Sequence, residues 1–236
     1  MPIKGFNEGL IVYVLAASSP THGIPAEVYH EGWTDSDHFI NGNEYEGVKL
    51  PLGFPYGGPL FFAHYSFLGL NPNGLVDKYA DYFEQNKNHS IINYKYCVRN
   101  PLGHKDYSEQ SWGLTASDDP LVGYLAHEPH PSDHDNGTIS PTAALSSIVY
   151  TPKESLAAMR YFHEKKGVNL FGEYGFKDAY NMNENWYADS YLAIDQGPII
   201  IMIENYRTGL LWNNFMKNKE VQAGLDKLDF TYKISK

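Results

Sequence analysis

Apolar residues are concentrated in four segments that are hydrophobic on nearly every side. A helix without a polar face is normally buried inside a protein. We therefore predict four interior helices. They span residues 9–17, 59–70, 141–150 and 198–215.

The starts of these segments resemble helix N-termini. Pro59, Pro141 and Pro198 each follow a glycine or serine, and proline is favoured at the first position of a helix. The first segment follows Asn7 and Glu8 instead, and Asn7 is a suitable N-cap.

Three further segments have polar faces and are predicted to be amphipathic helices. The second has a capping box formed by Thr151 and Glu154, with Pro152 at its start and Gly167 after its end. The three segments span residues 75–87, 152–166 and 219–228.

Apolar and amphipathic helices alternate along the chain, as if each pair formed an antiparallel hairpin with one inner and one outer member. This pattern is typical of a double ring of helices. Strand signals are limited to a hairpin around 44–52 and to short extended pieces within 19–56 and 101–138. Loops as long as the last two usually carry function.

Inner helices of such a ring point the same way, so their N-termini meet at one end. Glu8 and Asp195 both stand close to the start of an apolar segment and are expected to face each other across one cleft. The alternative is that each carboxylate only caps its helix and interacts with the positive end of the dipole.

Composition narrows the class of protein. A chain of 236 residues with 42% apolar residues can form one globular domain, which we place at 1–236. Acidic residues outnumber basic ones by 28 to 18 without a Lys/Arg cluster, so nucleic acid is not expected as a partner. The single Cys97 is expected to be a buried thiol.

The chain carries no recognisable signal peptide at its start and no uncharged apolar run of the length that a membrane span requires. No membrane-spanning segment is therefore expected.

The chain contains 19 Tyr, 12 Phe and 4 Trp, so some aromatic rings are available to stack on sugars, although core packing explains most of them.

Several long stretches resemble the bacterial glucoamylase-like glycoside hydrolases of family 144, which includes endo-β-1,2-glucanases. They occur in the order in which that family shows them. The stretches are GFNEGLIVYVLAASSPTH (5–22), GGPLFFAHYSFLGL (57–70), NPLG (100–103), SWGLTASD (111–118), DNGTISPTAALSSIVYTPKES (135–155), GEYGFKDAYN (172–181) and YLAIDQGPIIIMIENYRTGLLW (191–212).

The resemblance implies an all-α fold, the (α/α)6 barrel, of which this chain is the C-terminal part with about four of six inner helices. Met1 is then an internal residue of a longer parent, which is expected to be periplasmic or secreted. An incomplete ring exposes apolar flanks, and these would pair with the missing N-terminal part of the barrel or with another copy of the chain.

The resemblance also implies hydrolysis of a β-glucan, and the expected reaction is endo-hydrolysis of β-1,2-glucan with inversion. Such a reaction uses two carboxyl groups, about 6.5–9.5 Å apart when a water molecule must fit between them. We expect Glu8, beside an apolar wall at 10–12, to be the general acid, and Asp195, beside free helix N–H groups, to be the ionised base. Asp189 and Glu204 are rivals to Asp195.

Substrate contacts are expected from three motifs. In SWGLTASD, Trp112 is placed to stack on a glucose ring, and Thr115, Ser117 and Asp118 to bond its hydroxyls. The alternative is a buried tryptophan followed by a polar turn. His22 and Asp178, next to predicted helix ends, are further candidates.

No cofactor is expected for this chemistry. The stretch HEPHPSDHD (127–135) is rich in residues that bind metals, but its spacing matches no ligand motif, so no metal site is predicted. Two alternatives to hydrolysis remain on the same fold: a non-catalytic carbohydrate-binding or glucan-processing module, and a polysaccharide lyase.

Overall fold

The computed structural model describes residues 5–130 and 134–234. Within these ranges the chain is mainly helical, and the helices follow one another with long connections in the first two thirds of the chain. The helices are α1 (Leu10–Ser18), α2 (Tyr82–Arg99), α3 (Pro141–Ser146), α4 (Pro152–Leu170), α5 (Ala193–Thr208), α6 (Leu210–Met216) and α7 (Lys219–Lys227).

The strands are short and form small antiparallel sheets, in which β5 and β8 are buried and the other strands are at least partly exposed. β1 pairs with β2, β3 with β4, and β6 with β7, whereas β8 lies between β5 and β9. The strands are β1 (Glu44–Tyr45), β2 (Val48–Lys49), β3 (Ala116–Asp119), β4 (Gly123–Ala126), β5 (Thr138–Ile139), β6 (Phe171–Gly172), β7 (Gly175–Phe176), β8 (Tyr180–Asn181) and β9 (Trp186–Tyr187). The hairpin predicted around 44–52 is confirmed, but β6 to β9 were not predicted.

Helix α3 is the centre of the arrangement. All six of its residues are buried, and it packs against both α4 and α5. α1 packs against α7 at the other side of the molecule. The buried side chains form two clusters, one around Phe6, Trp33 and Trp212 and one around Trp112 and Phe162.

Four predicted helices are confirmed over most of their length: α1, α3, α4 and α7. α4 extends through Gly167, which does not end it. The capping box predicted at its start is wrong, because the Thr151 hydroxyl bonds to the Ser147 carbonyl and to Ser155 instead.

The helix predicted over 59–70 is wrong. The segment forms two 3₁₀ turns, Leu60–Ala63 and Tyr65–Leu68. Its first backbone amides are satisfied from outside, since Leu60 N donates to the Leu114 carbonyl at 3.1 Å and Phe61 N to Thr115 Oγ1 at 3.1 Å. Backbone groups with such external partners do not need the bonds of a regular helix.

The helix predicted over 75–87 begins later and runs further. α2 starts at Tyr82 because Asp81 caps it, accepting from the amides of Phe83 and Glu84. It continues to Arg99 and ends at Asn100 in the left-handed conformation. The residues before it are extended, with Val76 bridging to Thr231.

The last apolar segment is divided and starts earlier than predicted. α5 begins at Ala193, so Pro198 lies inside the helix and not at its first position. Gly209, with φ of 68°, ends α5 and begins α6. Asp195 consequently belongs to the first turn of α5 and does not precede the helix.

Burial of Cys97 is confirmed, and burial raises the pKa of its thiol. None of the helices within the described ranges combines the length and hydrophobicity that crossing a bilayer would need.

Candidate active site

Two acidic side chains meet where the N-termini of α3 and α5 come together. Thr142 in the first turn of α3 donates from its hydroxyl to the carbonyl of Asp195 at 3.0 Å. Asp195 is only 2% exposed, and Asp178, in the segment between β7 and β8, is also 2% exposed. Two of the predicted inner helices therefore begin at one place, although α5 also has an exposed face, and a pair of carboxyl groups lies there.

The two carboxyl groups lie close enough that the charge of Asp178 adds to the effect of burial on the pKa of Asp195. Asp178 Oδ1 and Asp195 Oδ2 are buried and have no hydrogen-bond partner among the described residues. Two carboxylates cannot donate to each other, so these two buried oxygens can be satisfied together only if one proton is held between the groups.

Electrostatics places this proton on Asp195. Burial and the adjacent charge of Asp178 raise the pKa of Asp195 to about 8. Burial also raises the pKa of Asp178, although its Oδ2 accepts from the backbone N–H of Asp118 at 2.7 Å. The expectation that the helix N-terminus keeps Asp195 ionised is wrong at neutral pH, because burial and Asp178 outweigh the helix dipole.

Three further side chains surround the pair. Asp118, on β3, is half-buried and accepts a short hydrogen bond from the Ser190 hydroxyl. Burial and then the charge of Asp195 raise the pKa of Tyr65, so this side chain lies beside the pair. Tyr124, on β4, is 51% exposed, and its pKa is raised by burial and then by the charges of Asp195, Asp178 and Asp118. The pair therefore lies just below the surface of the protein.

Glu8 is held near the same place by its backbone. Ser66 donates to the Glu8 carbonyl at 2.6 Å and accepts from Ile11 N at 3.1 Å. Burial raises the pKa of the neighbouring Tyr65, and the charges of Asp195 and Glu8 raise it further. Glu8 and Asp195 thus lie around one tyrosine, but the Glu8 side chain is exposed, so the predicted desolvation by residues 10–12 is wrong.

A buried hydrogen-bond network fixes β3, which carries Asp118. His127 Nδ1 lies 3.1 Å from Ser117 Oγ, and His127 Nε2 lies 3.0 Å from Asp119 Oδ2. Burial raises the pKa of Asp119, but hydrogen bonds from Asn136, His127 and two backbone amides lower it to about 2. Ser117 and His127 are 0% exposed, so this serine, histidine and aspartate hold the strand in place and are closed to substrate.

Four of the predicted substrate contacts are corrected. Trp112 is fully buried, with its indole N–H directed at the Glu154 carbonyl, so it cannot stack on a sugar. Thr115 and Ser117 are buried and use their hydroxyls within the protein. His22 is exposed beyond the C-terminal end of α1, the opposite end from Glu8, and bonds to Thr21. Asp118 and Asp178 lie in the site.

The rival acids lie elsewhere. The Asp189 side chain is 99% exposed and pairs with Lys177. Glu204 lies further along α5 and pairs with Arg207 and Thr208. In the 127–135 stretch, His127 bonds to Asp119, and Asp135 accepts from Tyr96 and Tyr107. Residues 131–133 of this stretch lie outside the described residues.

Sequence reasoning missed Tyr65, Tyr124 and Ser190. Tyr65 lies in an aromatic stretch interpreted as an interior helix, and nothing distinguishes it there from its core neighbours. Tyr124 lies on β4 and reaches the site because β4 pairs with β3. Ser190 lies in the chain before α5 and reaches the site through its bond to Asp118. No local signal identifies such residues.

Comparison with known proteins shows similarity over nearly the whole chain. A structure from Bacteroides uniformis, described as a "putative glucoamylase", is 61% identical with a TM-score of 0.94 and covers 97% of this chain. The endo-β-1,2-glucanase of Chitinophaga pinensis, solved with sophorotriose and glucose, is 55% identical with a TM-score of 0.95 over 98% of this chain. An exo β-1,2-glucooligosaccharide sophorohydrolase of Parabacteroides distasonis is 45% identical over 95% of this chain.

The relatives are much longer than this chain. It spans 55% of the Bacteroides structure, 56% of the Chitinophaga enzyme and 33% of the sophorohydrolase. The model of the Glycoamylase family, described as "Putative glucoamylase", matches residues 1–219. The predicted resemblance is confirmed, and the chain belongs to this glucoamylase family.

Proposed function

We propose that this chain supplies both the acid and the base of the active site of a glycoside hydrolase that cleaves β-1,2-glucan. The observation that carries the proposal is the buried pair Asp178 and Asp195, which holds a proton at neutral pH. Cleavage of a glycosidic bond needs such an acid to protonate the leaving oxygen. The names of the Chitinophaga and Parabacteroides relatives support the β-1,2 linkage.

The geometry favours roles opposite to those expected from the sequence. Asp195 holds the proton and is assigned as the general acid, with Asp178 as the residue that keeps it protonated. Glu8 is an exposed carboxylate that also lies near Tyr65 and is assigned as the base. Asp118 and Tyr124 line the space beside the pair and are assigned to substrate hydroxyls.

In the proposed reaction, Asp195 transfers its proton to the glycosidic oxygen as the bond from that oxygen to the anomeric carbon breaks. Water attacks the anomeric carbon from the opposite face, and Glu8 takes the proton that the water loses. The products are two glucans with inverted configuration at the new reducing end. Two carboxyl groups and water are sufficient for this reaction, which uses no cofactor.

The direct test is to incubate the protein with β-1,2-glucan and follow new reducing ends, with the anomer first formed assigned by NMR. The proposal expects reducing ends and the α-anomer as first product. Binding of the glucan without cleavage would instead support a carbohydrate-binding module. A β-anomer would show that the configuration is retained and that a carboxylate attacks the sugar directly.

We further propose that the rest of an (α/α)6 barrel, carried by the N-terminal part of the longer relatives, packs on an apolar groove of this chain. The groove lies between α1, α5, α6 and α7 and has a volume of about 690 Å³. Its lining includes Leu15, Ile201, Leu211 and Phe215, and it reaches Tyr65 beside the acid pair. This part of the fold matches the solved relatives with TM-scores of 0.94 and 0.95 and spans little more than half of them, so the remaining part of such a relative is available to cover the groove.

Association at the groove can be tested by co-expressing this chain with the N-terminal part of the Bacteroides uniformis relative. We expect a 1:1 complex in size-exclusion chromatography with light scattering. Leu15, which is 50% exposed, would be buried in the complex, so Leu15→Asp should weaken association by at least about tenfold. Val168→Asp on α4, where the side chain is 100% exposed away from the groove, is the control and should have no effect.

Two results would contradict this assignment of the groove. A homodimer that Leu15→Asp dissociates would show that a second copy of the chain covers it. A monomer that does not associate with the N-terminal part would show that the groove needs no cover.

A further inference from the structure

A row of partly exposed aromatic rings leads away from the acid pair. Tyr65, which lies close enough to Asp195 for that charge to raise its pKa further after burial, stacks on Phe61 with ring centroids 5.1 Å apart. Phe61 contacts Phe62 at 4.6 Å, and Phe62 lies 6.2 Å from Phe54. Phe54 stacks on the exposed His38 at 5.1 Å. The rings form a continuous path from the acid pair to the surface near His38.

Core packing does not explain the position of these rings. In the turn Leu60–Ala63, the side chains of Leu60 and Ala63 are 0% exposed, whereas Phe61 and Phe62 are only half-buried. One side of the turn therefore supplies the core, and the other presents two large apolar rings to solvent. Exposing such rings is unfavourable unless something covers them.

The row is fixed relative to the acid pair. The backbone amides of Leu60 and Phe61 bond to residues 114 and 115, in the segment that leads into β3 and Asp118. The row and the carboxyl pair therefore share one support. A ligand that lies on the row has its position defined with respect to Asp195.

A polar group accompanies the row at its far end. A side-chain carbon at Gly58 would lie 3.1 Å from Phe62 Cε2 and 3.5 Å from Glu128 Oε2, so the glycine leaves the space beside both groups open. Glu128 also lines, with Phe54, Pro55, His130 and His134, a cavity of about 290 Å³, and its Oε1 lies 3.2 Å from His134 Nδ1, which leaves Oε2 for a ligand. This combination of apolar surface and carboxylate suits a neutral ligand that has apolar faces and donor hydroxyls.

We propose that the row Tyr65, Phe61, Phe62 and Phe54 is a series of subsites for a glucan chain, with Glu128 accepting hydrogen bonds from hydroxyls at its far end. The proposal rests on the function proposed above and extends it to the length of the ligand. Sugar units next to Asp195 lie on Tyr65 and Phe61. Units further along a longer chain lie on Phe62 and Phe54.

The test is the affinity of the protein for short and long β-1,2-glucooligosaccharides, measured by isothermal titration calorimetry. Phe62→Ala and Phe54→Ala should each weaken binding of a long oligosaccharide by about tenfold, the range of one aromatic contact. Neither should change binding of the disaccharide. Tyr206→Ala removes an exposed ring about 16 Å along α5 from Asp195 and is the matched control.

The possible outcomes separate this inference from the proposed function. Unchanged affinity for the long oligosaccharide in both Phe62→Ala and Phe54→Ala would contradict the proposal that the row forms subsites, even if the unsubstituted protein cleaves β-1,2-glucan. Equal losses for both lengths would also overturn it, because they indicate general damage. If β-1,2-glucan is neither bound nor cleaved but a β-1,3- or β-1,4-glucan binds with the predicted dependence on length, the row is supported and the proposed linkage fails.

Discussion

Replacing Asp195 by asparagine is expected to lower the turnover of β-1,2-glucan by about 10²- to 10⁴-fold, the usual contribution of a general acid. The amide has nearly the shape of the protonated carboxyl group and can donate to Asp178, but it has no proton to give to the leaving oxygen. Initial rates of reducing-end formation measure the loss. The measurement uses whichever preparation cleaves the glucan, either this chain alone or its complex with the N-terminal part of a relative.

Glu204→Gln is the matched control for this experiment. Glu204 lies on the same helix about 13 Å further along, with partners of its own in Arg207 and Thr208. It should retain the unsubstituted rate. If Asp195→Asn also retains that rate, Asp195 is not the acid and the assignment of roles in the site is wrong.

The pH profile of Asp178→Asn distinguishes an acid pair from a single acid. Burial raises the pKa of Asp195, and the charge of Asp178 raises it further. Without that charge the pKa of Asp195 falls, so its proton is lost at lower pH. The alkaline limb of the activity profile should therefore move to lower pH, whereas a purely structural role for Asp178 would lower the rate equally at every pH.

Much of the helical architecture could be predicted from the sequence because it depends on local signals. Pro141 and Pro152 mark the starts of α3 and α4, and their apolar or amphipathic patterns continue from there. The segment at 59–70 has the same signals but forms 3₁₀ turns, since its amides bond to residues distant in sequence. Local signals do not record such long-range partners.

The position of Asp195 was predictable, but its protonation state was not. Its place near the start of an apolar segment indicated the end of an interior helix, and Asp195 lies there. Its charge depends on burial and on Asp178, which is brought beside it by the β8 segment. The helix dipole can be inferred from the sequence, but burial and the neighbouring charge of Asp178 cannot. Reasoning from the dipole alone therefore predicts an ionised Asp195, which is the wrong protonation state.

The aromatic residues show a similar limit of prediction, because the local sequence does not show which rings are exposed. Trp112 is the ring best placed by its motif to bind sugar, yet it is fully buried, whereas Phe61 and Phe62 in an apolar stretch are partly exposed. The side of a turn that faces the core is set by packing with other segments. Composition therefore indicates that rings are available but not which of them reach the surface.

The stability that Asp195 contributes to the protein should fall as the pH rises from about 4 to about 8, whereas the buried neutral His64 and His89 act in the opposite direction below about pH 6.5. The pKa of Asp195, about 8 in the folded state, exceeds the usual value of 3.8 that it has when the chain is unfolded. Between these values the folded state holds a proton that the unfolded state has released. Raising the pH therefore favours unfolding, by at most about 1.4 kcal/mol for each pH unit from one such group.

Asp195→Asn should remove this dependence, because the amide stays neutral at every pH. The free energy of unfolding, measured with urea at pH 5.5, 7 and 8.5, should then fall less steeply with pH than in the unsubstituted protein. The variant should be the more stable of the two at pH 8.5. Asp189→Asn, which alters a side chain that is 99% exposed, should follow the unsubstituted protein.

A variant that is less active but more stable above neutral pH is difficult to explain by damage to the fold, because damage lowers both properties. It is the expected signature of a group whose environment keeps it protonated for catalysis at the expense of stability. Equal slopes of unfolding free energy against pH in the two proteins would show that Asp195 has no raised pKa. The acid assigned to it would then have to be sought among the exposed carboxyl groups, beginning with Glu8.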